Sequence, residues 1–191
     1  MIDLASIPKD GIVTFTGRVV RPLDPDPETF AIEDIAHSLS NQCRFTGHTR
    51  EFYSVAQHAV LVSYYCDEKD ALAGLLHDAS EAYIADLARP IKHQPGFGSA
   101  YRKVEESISL AIGIRFGVFL TPLPPSVVEA DNMLLNSEIH ALMDFEPYDR
   151  EIIPIHPWSP AYARAKFLLR FDSLTLTGDE MFDGPTFGED V

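Results

Sequence analysis

Cysteine is scarce in this sequence. Cys43 and Cys66 are the only two in 191 residues, and they form no C-x-x-C pair. A disulfide scaffold is therefore excluded, and both read as small apolar residues in a reducing, cytoplasmic setting. Basic residues are also few: 15 Lys and Arg stand against 29 Asp and Glu, for a formal net charge of −14. A field of that sign repels long polyanions, so stable binding of duplex DNA or RNA is not expected. A small phosphate ligand stays compatible, because a metal ion and a few Arg or Lys reverse the sign inside one cleft. No apolar run approaches the ~18–20 residues that span a bilayer, and membrane association is not expected. No basic stretch followed by an apolar one opens the chain as a secretory signal would. Internal repeats and low-complexity blocks are absent.

What is there is an ordinary globular composition, 46% hydrophobic and 23% charged. The length fits one domain, which can hide roughly 70% of its unfolded surface. Val13, Phe15, Val19 and Val20 around Thr16-Gly17 predict a short hairpin. Asp24-Pro25-Asp26-Pro27 then breaks regular structure, and the pattern turns helical. Ile32, Ile35, Ala36 and Leu39 recur at helical spacing. Ser54-Val55-Ala56-Gln57 matches a capping box, so a helix should start there and end near Tyr65. Asp67 reads as the N-cap of a helix over residues 68–84, with Ala71, Leu72, Leu75, Leu76 and Ala79 inward. A loop around Pro90, Pro95, Gly96 and Gly98 precedes a helix holding Val104, Ile108, Ala111 and Ile112. Pro124-Pro125 and Ser159-Pro160 open two more helices, the last turning Ala163, Phe167, Leu168 and Phe171 inward. The expectation is an all-α domain over residues 1–175, of about six helices with a small N-terminal β element. Residues 176–191, acidic from Asp179 onward, read as a solvated, mobile tail.

The adjacent pair His77-Asp78 lies inside the apolar run Ala-Gly-Leu-Leu-His-Asp-Ala-Ser-Glu-Ala. His58 and Asp131 also lie in apolar helical stretches. One such His is ordinarily a hydrogen-bonded core residue, and Asp131 alone reads as a cap or surface partner. Four ligand-type residues on three core helices most economically share one divalent ion, such as Zn, Mn, Fe or Co. Glu81, four residues after His77, and Asp86 are candidates for orienting a ligand or moving a proton. Arg89-Pro90-Ile91-Lys92 forms a rigid turn with two cations that could hold phosphate oxygens. Arg44 could contact a phosphate or sugar, and Phe45 could stack on a base. The plainer role for Phe45 is core packing.

The order His58, His77-Asp78, Asp131 resembles the H…HD…D signature of the HD-domain metal-dependent phosphohydrolases. Ser-Val-Ala-Gln-His58, Leu-Leu-His77-Asp78-Ala-Ser-Glu81-Ala-Tyr-Ile-Ala-Asp86-Leu and Pro90-Ile-Lys92 are similar to its small single-domain branch. That branch includes bacterial 5′-deoxynucleotidases and phage dATP triphosphohydrolases, and the resemblance covers residues 12–172. It implies an HD-domain helical bundle with one catalytic metal on His58, His77, Asp78 and Asp131. Glu81 and Asp86 would serve the attacking water and proton transfers. Arg44 would contact phosphate or sugar, Phe45 the base, and Lys92 phosphate. Mg could accompany the substrate phosphates. Ala85 stands where the family often has Gly, an exchange expected to be mild, and Phe45 where relatives often have Trp. The expected activity is dNTP (dATP-like) triphosphohydrolysis. The alternatives are 5′-deoxynucleotidase action on dNMPs and a catalytically silent nucleotide-binding module. A zinc protease is discarded for want of H-E-x-x-H. A homo-oligomer is also expected, with Phe116, Val118, Phe119 and Leu120 apolar enough to serve a partner or a core.

Overall fold

The hairpin around Thr16-Gly17 forms. In the computed structural model, β1 (Ile12–Val13) pairs antiparallel with β2 (Val19–Val20), Val13 opposite Val19. The description covers residues 7–143, 145–146 and 152–176. The next helix latches the hairpin turn. Buried Asp34 accepts hydrogen bonds from Thr14 Oγ1 at 2.8 Å, Thr16 N at 2.7 Å and Thr16 Oγ1 at 2.8 Å. These bonds replace the water that a buried carboxylate loses.

Helix α1 (Ile32–Asn41) buries Ile35, Ala36 and Leu39, as its spacing requires. Helix α2 (Val55–Tyr65) starts at Ser54, whose side chain accepts from Gln57 N at 3.1 Å. The capping box is only half made. Gln57 Nε2 donates instead to His156 O at 2.8 Å, and Gln57 Oε1 accepts from Trp158 N at 2.8 Å. The side chain thereby pins the segment that leads into the last helix. α2 is buried along most of its length, as a central helix must be.

The helix expected over residues 68–84 is broken. A 3-10 turn covers Glu68–Asp70, α3 covers Ala71–Leu76 and α4 covers Glu81–Ile84. The Asp67 side chain makes no cap bond. Between α3 and α4 the backbone tightens to i→i−3 bonding, with Ala79 N to Leu76 O and Glu81 N to Asp78 O both at 3.0 Å. His77 is the local cause. Its Nδ1 lies 2.8 Å from Gly74 O, the carbonyl that the Asp78 N–H would take in a continuous α-helix.

Helix α5 (Arg89–Lys92) lies inside the segment expected to be loop, and α6 (Phe97–Phe116) follows. Gly98 lets α5 rest on α6: a Cβ there would lie 2.5 Å from Lys92 O and 2.7 Å from Ile91 O. Helices α7 (Pro125–Met143) and α8 (Pro160–Thr175) start at the predicted prolines. Ser159 Oγ caps α8 by accepting from Tyr162 N at 3.3 Å. The split of α3 from α4 and the added α5 raise the helix number above expectation. The class is all-α with a small N-terminal β element.

α2 packs against α1, α3, α7 and α8, with Phe30, Ile35, Leu39, Val55, Leu75 and Phe167 among the buried core. Leu120 joins that core, whereas Phe119 is 87% exposed. Among the described residues, no helix is long and apolar enough to cross a membrane. The acidic stretch expected to be a tail lies, from residue 177 on, outside the described residues.

α4 ends at Ala85 with φ 63° and ψ 160°, a region open essentially to glycine alone. Alanine at this position is therefore strained, and its exchange for glycine is not the mild change expected. Ala85→Gly should stabilise the protein by about 1 kcal/mol, the relieved strain less the added unfolded-state entropy. Urea denaturation measures this; an unchanged or lower midpoint would contradict it.

Candidate metal centre

Three elements converge on one point. α2 supplies His58, the turn after α3 supplies His77 and Asp78, and α7 supplies Asp131. The helical pattern places the HD pair within a helix, but the pair sits in the tightened turn. Gly74 allows the approach of α3 to α2: a Cβ there would lie 2.9 Å from Cys66 Sγ and 3.1 Å from Ser63 Cα. The His58 and His77 ring centroids are consequently 5.3 Å apart. One ligand atom from each of His58, His77 and Asp131 lies within 4.8 Å of the other two, so this cluster can bind a metal ion. Asp78 stands beside the cluster. Its Oδ2 is 3.1 Å from His77 Nε2, 3.8 Å from His58 Nε2 and 3.6 Å from Arg44 NH1.

Hydrogen bonds fix the imidazoles. A carbonyl only accepts, so the contact to Gly74 O puts the His77 proton on Nδ1 and leaves Nε2 as the donor atom for a metal. His58 Nδ1 lies 2.6 Å from Glu138 Oε1, which assigns the same arrangement to the neutral ring. Both Nε2 atoms are buried without a hydrogen bond. His58 Nε2 meets Asp131 Oδ1 at 3.1 Å, but without hydrogen-bond alignment. Two orphaned imidazole nitrogens beside a carboxylate are donor groups that can take a metal ion.

Glu138 escapes the sequence reasoning. It is fully buried and accepts from Tyr53 Oη at 2.8 Å and Arg44 Nε at 3.2 Å, with Arg44 NH2 at 3.1 Å. Its only signal in the sequence is a position seven residues after Asp131, two turns along the same face of α7. Arg44 reaches it because residues 42–44 run beside 53–55, with Arg44 N donating to Tyr53 O at 2.9 Å. Burial and the Arg44 charge oppose a proton on His58, but Glu138 and Asp131 outweigh them and raise its pKa to about 9. Burial likewise disfavours the charged forms of Asp78 and Glu138. The His77 ring at Asp78 and the Arg44 guanidinium at Glu138 outweigh it, holding both below the ordinary carboxylate range. The metal-free cluster thus draws in a positive charge that a divalent ion would replace.

The cluster borders a cleft of about 720 Å³, which Arg44, Phe45, Glu81, Asp86 and Lys92 also line. Glu81 is buried, and its Oε2 has no partner. Burial, Asp78 and Asp86 push its carboxyl well above the usual range, and burial raises Asp86 as well. Phe45 is half-buried at the cleft, with the Arg44 guanidinium 5.4 Å from its ring centre. Its φ of 55° and that of Thr46, 56°, make this rim a strained turn. Lys92 lies on the cleft wall with its ammonium 2.5 Å from Glu105 Oε1.

Glu138→Gln should keep the fold and lower affinity for Mn, Co or Zn by about 10–100-fold, the usual effect of losing a carboxylate behind a ligand imidazole. Calorimetric metal titration checks this alongside a melting curve. Unchanged affinity would contradict the assignment.

No family model matches the chain. It is 37% identical over 174 residues to the uncharacterized protein YfdR of Escherichia coli, an overlap of 86% of this chain and 95% of that protein. An uncharacterized protein of Rhodobacter capsulatus is 32% identical over 150 residues, 72% of this chain and 76% of its own length. Neither name states an activity. On this similarity, the chain belongs to the family of Escherichia coli YfdR.

Proposed function

We propose that this protein is a metal-dependent phosphohydrolase of deoxynucleotides, of the HD-domain type, acting first on a dATP-like triphosphate. The observation that carries the reading is the position of the His58, His77 and Asp131 cluster beside a cleft that Asp131 and the adjoining Asp78 line and that has both cationic and apolar sides. At about 720 Å³, the cleft falls within the range of small-ligand sites. A divalent ion held by these residues, with Asp78 beside them, would supply Lewis acidity toward a phosphoryl oxygen.

The protein's own groups account for the rest. Arg44 is held charged and in place by Glu138 and Asp78, ready to offset charge on the phosphoryl oxygens. Glu81 and Asp86 face the cleft and are the groups placed to pass protons to and from the reacting oxygens. Phe45, Leu135 and Met143 give the same cleft an apolar side suited to a base. Self-association and a cytoplasmic setting belong to this proposal too.

The test is a turnover screen of each dNTP, dNMP and NTP with Mn, Co, Zn or Mg, products being resolved by chromatography. Triphosphate release from one dNTP is the expected result, and Asp131→Ala should abolish metal retention and turnover together. Phosphate release from dNMPs alone would transfer the protein to the 5′-deoxynucleotidases. Stoichiometric metal without turnover of any nucleotide would leave only the silent-module reading.

A further inference from the structure

The cations of the cleft are not equally available. Arg44 is committed to Glu138 and Asp78, and Lys92 to Glu105. Arg89 and His93 line the same cleft, and both are exposed. Among the described residues, neither side chain has a hydrogen bond or ion pair. His93 N donates to Arg89 O at 3.1 Å, so the two residues sit one helical turn apart on the same face of α5 and its cap.

α5 is held firmly. Its last carbonyls press on Gly98, where no Cβ would fit. The Arg102 guanidinium donates to Lys92 O, and Tyr101 Oη donates to Ala85 O at 2.6 Å just before the helix. A one-turn helix clamped by α6 therefore presents two uncommitted basic groups to a cleft that also contains Asp78, Glu81, Asp86 and Asp131. A single phosphate at the metal centre is served by Arg44 and the ion. A phosphate chain adds negative charge that those groups do not balance, in a cleft already rich in carboxylates.

We propose that Arg89 and His93 form a seat for the outer phosphates of a polyphosphate substrate. The planar guanidinium fork provides paired donors for phosphate oxygens, and the imidazole adds one more. The proposal rests on the phosphohydrolase reading of the cleft and specifies its substrate class, a nucleotide with more than one phosphate.

Equilibrium binding of inorganic tripolyphosphate and of orthophosphate to the Mn-loaded protein tests it by calorimetry, without turnover. Arg89→Ala should weaken tripolyphosphate about 10-fold or more and orthophosphate less than about 2-fold, as expected for lost charged hydrogen bonds. Arg89→Lys should restore part of the loss, because the charge returns without the fork. His93→Gln should produce a smaller loss of the same selectivity. A melting curve for each variant confirms that the fold is kept. Tripolyphosphate that fails to bind, or binds Arg89→Ala as well as the native chain, would overturn the proposal. Equal losses for the two anions would overturn it too. Arg89-dependent tripolyphosphate binding without turnover of any nucleotide would support the seat while removing the deoxynucleotide reading.

Discussion

A carboxylate with no exposed surface organises this protein's centre. Taking Glu138 out of water costs several kcal/mol unless its charge is matched on every side. Tyr53, Arg44 and His58 match it, and each is fixed by doing so. The His58 ring is turned so that its second nitrogen faces Asp131 and His77. Arg44 is held between Glu138 and Asp78 at the cleft. One buried charge therefore ties the His58 imidazole of the candidate metal cluster on α2 to a cation from the preceding segment. The candidate metal cluster and the cleft-lining guanidinium of Arg44 are parts of one network, and a change in either should be felt by the other.

The second constraint is close backbone approach. Gly74 brings α3 onto α2, and His77 then draws its own helix into a tight turn by holding Gly74 O. That turn directs Asp78 toward the imidazoles and starts α4 with Glu81 in the cleft. Ala85 ends α4 in a glycine-like conformation and sends the chain past Asp86 into α5. Gly98 sets where α5 rests. The cleft's acids and bases are thus placed by two glycines and one strained alanine, while the hydrophobic core supplies the frame.

Much of the frame is legible in the sequence because its signals are local. Ser54 and Ser159 are caps, Pro125 and Pro160 begin helices, and the valines flank the Thr16-Gly17 turn. His58, His77 and Asp131 stand out as polar residues on apolar faces, and they meet. What is not legible depends on partners distant in the chain or on competition for one carbonyl. Apolar spacing continues through residues 68–84, so nothing in the pattern marks the break made by His77. Gln57 completes a capping-box motif, yet bonds to residues 156 and 158. Glu138 has the pattern of an ordinary helical acid, because its partners Tyr53, His58 and Arg44 come from another part of the chain. Lys92 reads as a free cation until Glu105, on the next helix, is placed against it.

The central claim is that His58, His77 and Asp131 hold one divalent ion through two imidazoles oriented by Glu138 and Gly74 O. X-ray absorption spectroscopy of the protein loaded with one equivalent of Co(II) tests it most directly. The account predicts stoichiometric binding with imidazole scattering from two nitrogen ligands, reduced to one in His77→Ala. A coordination shell of oxygen atoms alone, or no stoichiometric binding, would contradict it.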